Sequence, residues 1–286
     1  MAVKIITDST SYLPESQIKK YNIIISSLSV VFENESIKEI DIDNSSFYEK
    51  LKNSTTIPKS SQPSISELYD IFEKEVKAKN DIVGIFISSE MSGTYSSACM
   101  VKNMILEEYP EATIEIIDSR SNCMQLGYTV ISAAKAAQEG KSISEVVCIA
   151  QKTIRSSKFL FIPNTLEYLK MGGRIGNASA LIGSLLKIKP ILTVSKGKTD
   201  IVTKVRTKKK ALQTIIDIFI KDGKEYGLEK VIVHHINDRE CAMEFADQIK
   251  KIIGKQVQIS NIGPVIGAHV GPGALGIVYC TNNEMV

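Results

Sequence analysis

Short runs rich in β-branched residues alternate with helical stretches along the first half of the chain. Residues 3–6, 82–87 and 113–117 have the composition of buried strands. Between them, apolar side chains recur at helical spacing, for example at Leu68, Ile71, Phe72 and Val76. This alternation predicts an α/β fold with a mainly parallel sheet flanked by helices.

Several predicted strands of this half end in loops of small and hydroxylated residues. The loops read TDST at 7–10, SSEMSGT at 88–94 and DSRS at 118–121. Parallel strands bring such loops to one edge of a sheet, where helix N-termini offer N–H groups to an anion. Ordinary helix capping by Ser, Thr and Asp is the alternative interpretation of each loop.

The pattern changes after residue 157, and we expect two domains, an N-terminal α/β domain over 1–157 and a C-terminal mixed α/β domain over 158–286. Within the second, 191–195 and 200–204 predict a hairpin, and the small residues of 178–186 predict a helix. In the first, the polar stretch 53–62 is typical of a linker.

Two features of the second half indicate a site for a carboxylate. Residues 262–276 read IGPVIGAHVGPGALG, a predicted tight loop that carries His269, although a plain chain reversal also fits. Arg174 follows the pair Gly172-Gly173, and an arginine beside flexible backbone suits planar recognition of a carboxylate. With the apolar stretch 181–186, these groups favour a fatty-acid site, while core packing is the alternative for the apolar residues.

Several common motifs are absent or fail. Gly271, Gly273 and Gly276 match G-x-G-x-x-G, but a strand follows and only ten residues remain, so a dinucleotide site is rejected. The sequence contains neither a P-loop nor a G-x-S-x-G elbow. His234 and His235 are adjacent in a predicted strand and point to opposite faces, which disfavours a metal pair. The five cysteines include no C-x-x-C, so neither a disulfide framework nor a zinc site is indicated, and we expect no metal and no cofactor.

Composition narrows the class of protein further. A net charge of +3 gives no support for general nucleic-acid binding. No window approaches about 18 consecutive apolar residues, and the first apolar run is too short for a signal peptide, so we expect a cytoplasmic protein. Cations cluster at Lys204, Arg206, Lys208, Lys209 and Lys210. A solvated face, a docking surface for an anionic partner and a DNA-binding surface are the three interpretations of this cluster.

Five motifs in order make the chain similar to the DegV family, the fatty-acid-binding component of bacterial fatty acid kinase. They are Ser61-Gln62-Pro63-Ser64, Ser92-Gly93-Thr94-Tyr95, Asp118-Ser119-Arg120-Ser121, Gly172-Gly173-Arg174-Ile175 and the stretch 262–273. The resemblance implies two α/β domains with a lipid pocket between them.

The resemblance also implies the site. The carboxylate of a long-chain fatty acid would be bound by Ser60, Ser92, Gly93, Arg174 and His269. A separate ATP-dependent kinase would then form the acyl-phosphate, which belongs to phospholipid metabolism, after transient contact of this chain with a membrane surface. The basic residues Lys204, Arg206, Lys208 and Lys209 would dock the partner. Ser60 replaces the family's usual threonine, and Cys123 and Gln125 replace a serine and a glycine, which leaves the acyl-chain preference open.

A different class of function uses two of the same residues. Ser92 and His269 could form the nucleophile and base of a stand-alone serine hydrolase or esterase. That function requires an acidic residue that orients His269, and an oxyanion hole.

Overall fold

Residues 2–33, 35–54, 56–183 and 188–285 are described by the computed structural model of the chain. In chain order the strands are β1 (Val3–Asp8), β2 (Ile24–Ser26), β3 (Ser29–Phe32), β4 (Glu35–Lys38), β5 (Lys59–Ser61), β6 (Asp81–Phe86), β7 (Ile114–Asp118), β8 (Ser157–Ile162), β9 (Lys189–Ser195), β10 (Lys198–Val205), β11 (Leu228–His235), β12 (Gln258–Asn261) and β13 (Leu275–Thr281). The α-helices are α1 (Glu15–Tyr21), α2 (Asn44–Asn53), α3 (Ile65–Lys77), α4 (Thr94–Glu108), α5 (Cys123–Gln138), α6 (Ile143–Arg155), α7 (Glu167–Met171), α8 (Lys208–Tyr226), α9 (Arg239–Ile253) and α10 (Pro264–Val270). Short 3₁₀ turns occur at Ser9–Ser11, Glu39–Asp41 and Gly176–Leu181.

The first half builds a four-stranded sheet in the order β2-β1-β6-β7, and every pairing in it is parallel. Alternate strand residues face opposite layers of helices. Ile82 packs with α3 and α4, whereas its neighbour Val83 packs with α5 and α6. The α/β prediction is therefore confirmed, and burial on both faces accounts for the almost continuous apolar runs of these strands.

The second half builds a mixed sheet in the order β10-β9-β8-β13-β11-β12. Its pairings are antiparallel except for the parallel pair β11–β12. Helices α8 and α9 cover one face, where Leu160 and Ile277 are fully buried. Phe159 and Phe161 project from the other face into the core that this sheet shares with α5 and the parallel sheet. The predicted hairpin is β9–β10.

A small antiparallel sheet in the order β4-β3-β5 lies outside the predicted layers. The expected polar linker over 53–62 is wrong at its end, because β5 (Lys59–Ser61) pairs with β3, with Ser60 opposite Val30. A three-residue edge strand made of Lys and Ser has no apolar alternation, so its composition gives no signal. This strand is what fixes the position of Ser60.

The strands of the parallel sheet all precede residue 157, and β8 begins the second sheet at Ser157. The division at 157/158 remains a prediction, since α10 packs back onto α2, β3 and β5 of the first half. Of the expected helix over 178–186, residues 178–181 belong instead to the 3₁₀ turn Gly176–Leu181, and residues 184–186 lie outside the described residues. Among the described helices, none combines the length and apolarity needed to cross a bilayer.

Candidate functional site

A cavity of about 740 Å³, measured out to its solvent-filled mouth, lies between the two large sheets. Both halves supply apolar walls: Leu28, Ile87, Phe159, Phe161, Leu169, Val194, Ile262 and Val265. Among the five predicted carboxylate ligands, Ser60, Ser92, Arg174 and His269 line it as well. An apolar cavity with polar groups at one part of its wall suits an amphiphilic ligand.

Ser60 and His269 form the best defined polar contact of the cavity. Ser60 on β5 and His269 on α10 are joined by a hydrogen bond of 2.8 Å between Oγ and Nε2. Burial, and secondarily the charge of Arg174, lower the pKa of His269 to about 4, so the imidazole is neutral at physiological pH. Its Nδ1 has no hydrogen-bond partner among the described residues. The ring also lies against Gly172, where a Cβ atom would be only 2.2 Å from Nδ1.

His269 does not lie in a loop, contrary to the sequence expectation. Residues Pro264–Val270 form the short helix α10, with Pro264 in its first turn. Gly263 precedes the helix, and Gly271 ends it with φ of 81°. Proline at the start and glycine just past the end are the usual boundary signals of a helix, so this element was predictable.

Ser92 and Gly93 lie between β6 and α4. The Ser92 Oγ is 2.9 Å from the Thr94 Oγ1 and accepts from the Thr94 N–H at 3.3 Å, so it is held against the first residue of α4. Gly93 is the residue before this helix and is not part of the cavity wall. A Cβ at Gly93 would be 2.1 Å from the Gln62 Oε1, so a side chain there would have to displace the Gln62 amide.

Arg174 connects the two halves at the mouth of the cavity. Its Nε donates to the Met91 carbonyl at 3.0 Å, and its Nη1 donates to the Gly172 carbonyl at 2.7 Å. The Thr199 hydroxyl donates to the Arg174 carbonyl at 2.8 Å and holds its backbone. Arg174 is exposed, so its charge acts on the cavity through a partly hydrated guanidinium.

Sequence reasoning missed Asn122 and gave His234 only a structural role. Asn122 is buried in the cavity wall just after the loop 118–121, and its Oδ1 has no partner among the described residues. His234 also lines the cavity, and its Nε2 accepts from the Met124 N–H at 3.3 Å. Burial lowers the pKa of His234 to about 3, so it adds no charge to the cavity. The sequence could have indicated Asn122 by its position directly after the loop 118–121, which is rich in hydroxyl side chains.

The geometry gives no support to a catalytic pair of Ser92 and His269. The Ser92 Oγ bonds to Thr94, whereas the His269 Nε2 bonds to Ser60. A base–nucleophile hydrogen bond and an acid that orients the base define a serine hydrolase site. In the described part of the chain, no acidic group accepts from the His269 Nδ1.

The basic cluster lies on the end of β10, the turn that follows it and the first turn of α8, and none of its residues lines the cavity. Lys204, Arg206, Lys209 and Lys210 are exposed. Lys208 differs, because its Nζ pairs with the Asp238 carboxylate at 2.9 Å and is partly buried. The charge that this face offers to a partner therefore comes from the other four residues.

Comparisons with known proteins agree with this architecture. A family model described as "Uncharacterised protein, DegV family" matches residues 2–282. A DegV domain-containing protein of Clostridium acetobutylicum is 53% identical over 285 residues, which cover 100% of both chains. The chain belongs to the DegV family.

Solved structures of DegV proteins share the whole fold. One is described as DegV, a fatty acid binding protein from Bacillus subtilis; it matches with a TM-score of 0.87 at 33% identity, over 99% of this chain and 100% of that one. A stearic acid-binding protein from Eubacterium ventriosum matches with a TM-score of 0.89 at 26% identity, over 98% of each chain. The parallel sheet with its helices and the separate mixed sheet are thus the DegV fold.

Proposed function

We propose that the protein binds a long-chain fatty acid in the cavity between its sheets and presents the carboxylate to a separate ATP-dependent kinase. The kinase transfers the γ-phosphoryl group of ATP to a carboxylate oxygen, giving an acyl-phosphate and ADP. This chain is then the lipid-presenting subunit and not itself the catalyst. The scheme places it in the cytoplasm and in phospholipid metabolism, as the sequence analysis expects.

One observation carries the proposal: an apolar cavity ends in a group of neutral donors beside one arginine. Ser60, Ser92 and the neutral His269 offer hydrogen bonds to a carboxylate, and Arg174 supplies a positive charge close by. A buried carboxylate needs such partners, because leaving it unpaired costs far more than burying its tail gains. The relatives from Bacillus subtilis, a fatty acid binding protein, and from Eubacterium ventriosum, a stearic acid-binding protein, give independent support.

Transfer from a membrane requires an apolar surface near the mouth. Met171 and Ile182, on either side of Arg174 in the chain, are 68% and 46% exposed. Exposed apolar side chains mark a contact site for lipid or protein where they form one patch. We assign these two residues to transient membrane contact, and the exposed cations Lys204, Arg206 and Lys209 to docking of the kinase.

Mass spectrometry tests the ligand directly. The protein is weighed under native conditions and again after denaturation and solvent extraction. We expect an excess of a few hundred daltons that extracts as a free fatty acid, about one molecule per chain because such sites are few per protein. An unliganded mass, together with no uptake of offered oleate, would sink the proposal.

A coupled assay tests presentation. Arg174→Ala and His269→Ala are each expected to reduce the acyl-phosphate yield with a cognate kinase, without loss of the folded far-ultraviolet spectrum. Arg155→Ala is the matched control, because Arg155 is also exposed but pairs with Glu284 at 2.7 Å, outside the cavity wall. Equal yields from all three variants would refute the assigned carboxylate site.

A further inference from the structure

The helix that carries His269 is anchored by a buried carboxylate from the other half of the chain. Glu39, in the 3₁₀ turn after β4, accepts from the Val265 N–H at 2.9 Å through Oε1. The same oxygen accepts from the Tyr12 hydroxyl at 2.8 Å, and Oε2 accepts from the Ser9 hydroxyl at 2.5 Å. Val265 lies one helical turn before His269, so its anchor also places the imidazole.

The direction of these hydrogen bonds is set by the surrounding backbone. The Tyr12 hydroxyl already accepts from the Ile266 N–H at 3.2 Å, and the Ser9 hydroxyl accepts from the Leu28 N–H at 3.1 Å. Both hydroxyls therefore direct their own hydrogens to Glu39. With the Val265 N–H, three donors converge on one carboxylate, which is the arrangement that an ionised acceptor satisfies best.

Helix α10 packs so closely against Tyr12, Glu39 and Tyr48 that a shift of these side chains would move the helix. A Cβ at Gly263 would be 2.6 Å from the Tyr12 ring and 2.7 Å from the Glu39 carboxylate. A Cβ at Gly267 would be 2.1 Å from the Tyr48 hydroxyl. Tyr48 in turn donates to the Ile262 carbonyl at 2.8 Å. Helix α10 thus lies directly on these side chains, with no layer between them to absorb a shift.

We propose that Glu39 is a positioning residue for His269: its ionised carboxylate holds the first turn of α10, and thereby keeps the imidazole in place for a carboxylate ligand. This inference rests on the proposed fatty-acid function and adds regulation to the same site. When Glu39 gains a proton, one of the three donors loses its acceptor and the other bonds lose the charge of theirs, so the first turn of α10 is held less tightly.

The titratable groups around Glu39 leave it ionisable near neutrality. Burial raises its pKa to about 7, against the opposing effect of its hydrogen bonds. Asp8 on β1 adds its negative charge, and its own pKa is raised to about 6 by burial. Tyr12, Tyr48 of α2 and Cys123 of α5 also face Glu39, and burial raises the pKa of each, so they stay neutral through this range. Ligand affinity is therefore present above about pH 7 and declines as the pH falls through that value.

The test compares Glu39→Gln with wild type across pH. The dissociation constant of oleate is measured for delipidated protein by partition from lipid vesicles, with oleyl alcohol as the ligand that lacks a carboxylate. The control variant is Glu75→Gln, because Glu75 is also a buried carboxylate but accepts from Asn80 at 2.8 Å on the far side of the parallel sheet. The titration of oleate itself is common to all variants, so the ratio of dissociation constants isolates Glu39.

We expect Glu39→Gln to weaken oleate binding about tenfold at about pH 8.5, because a hydrogen bond to a charged acceptor is lost. At about pH 5.5, where Glu39 of wild type is protonated, we expect a loss of less than about twofold. Glu75→Gln and the alcohol are expected to show no such dependence. A wild-type profile parallel to that of Glu39→Gln, or equal losses for acid and alcohol, would overturn the inference while fatty-acid binding stands. Failure of wild type to bind oleate would instead overturn the proposed function.

A second readout needs no ligand. The chain has three histidines, so the imidazole protons of His269 can be assigned by NMR with His269→Ala. In wild type we expect this resonance to move as the pH crosses about 7, although burial lowers the pKa of His269 itself to about 4. Glu39→Gln is expected to abolish the movement and Glu75→Gln to retain it. A resonance that stays fixed in wild type contradicts a positioning role for Glu39.

Discussion

Replacing Gly172 with alanine adds one methyl group directly against the imidazole of His269. The backbone tolerates alanine, since φ of −75° and ψ of −6° are helical values. The new Cβ would lie 2.2 Å from Nδ1, about 1.2 Å short of ordinary contact, and 3.1 Å from the Tyr168 carbonyl. The backbone cannot yield as readily as the ring, so His269 must move and lose its 2.8 Å hydrogen bond to Ser60.

The magnitude follows from the group that is lost. A hydrogen bond to a charged partner contributes about 1.5–3 kcal/mol, so the dissociation constant of oleate should rise about 10- to 100-fold. Overpacking should also lower the free energy of unfolding by about 1–3 kcal/mol. Oleyl alcohol, which has no carboxylate, should keep most of its affinity, and this difference separates loss of the polar contact from general loosening.

Gly173→Ala is the matched control for this experiment. Gly173 has φ of +69°, so alanine is strained there and costs about 1–2 kcal/mol of stability. No atom lies within 4 Å of its added Cβ, so His269 stays in place. The assay is vesicle partition of oleate together with urea unfolding of both variants. If Gly172→Ala binds oleate as tightly as Gly173→Ala, then His269 does not contribute to carboxylate binding, and the reasoning fails.

Two further predictions concern buried polar groups. The folded pKa of Glu39 is about 7 against an ordinary 4.5, so the folded state binds the extra proton between these values and stability falls as the pH rises through that window. Between about pH 6 and 8 the loss should be about 1 kcal/mol in urea unfolding, and a Glu39→Gln variant that keeps the full decline would contradict it. Gln125 donates to the Ser157 carbonyl at 3.0 Å and joins α5 to β8, so Gln125→Ala should cost about 1–3 kcal/mol. An unchanged urea midpoint would show that this contact contributes nothing.

The parts of the fold that sequence predicts are those with a strong local pattern. Strands β1, β6 and β7 of the parallel sheet are short runs rich in β-branched residues, and their common direction fixes the edge at which residues 88–94 and 118–121 meet. The structure joins these loops as expected, since the Ser89 hydroxyl donates to the Asp118 carboxylate at 2.6 Å. The β9–β10 hairpin was predictable from another local signal, a short Lys-Gly turn between two runs rich in β-branched residues.

The site is less predictable because its contacts join residues far apart in the chain. Ser60 and His269 are separated by 209 residues, and only the pairing of β5 with β3 brings the hydroxyl to the imidazole. Family resemblance names both residues, but it does not show that Arg174 is already bonded to the Met91 carbonyl. Glu39 gives no signal at all, since it lies in a polar stretch and its partner Val265 is 226 residues away.

Two buried carboxylates lower the stability of the fold but fix the shape of its cavity. Asp8 accepts from the Ile87 N–H at 2.6 Å, and Glu39 accepts from the Val265 N–H; both partners line the cavity. Burial raises the pKa of each acid, so each costs stability at neutral pH when ionised. Apolar residues at these two positions would remove that cost, but they would leave the two backbone N–H groups without an acceptor. The charges are therefore best understood as anchors: one fixes the end of β6 and the other fixes α10, so that opposite walls of the cavity are held before any ligand enters.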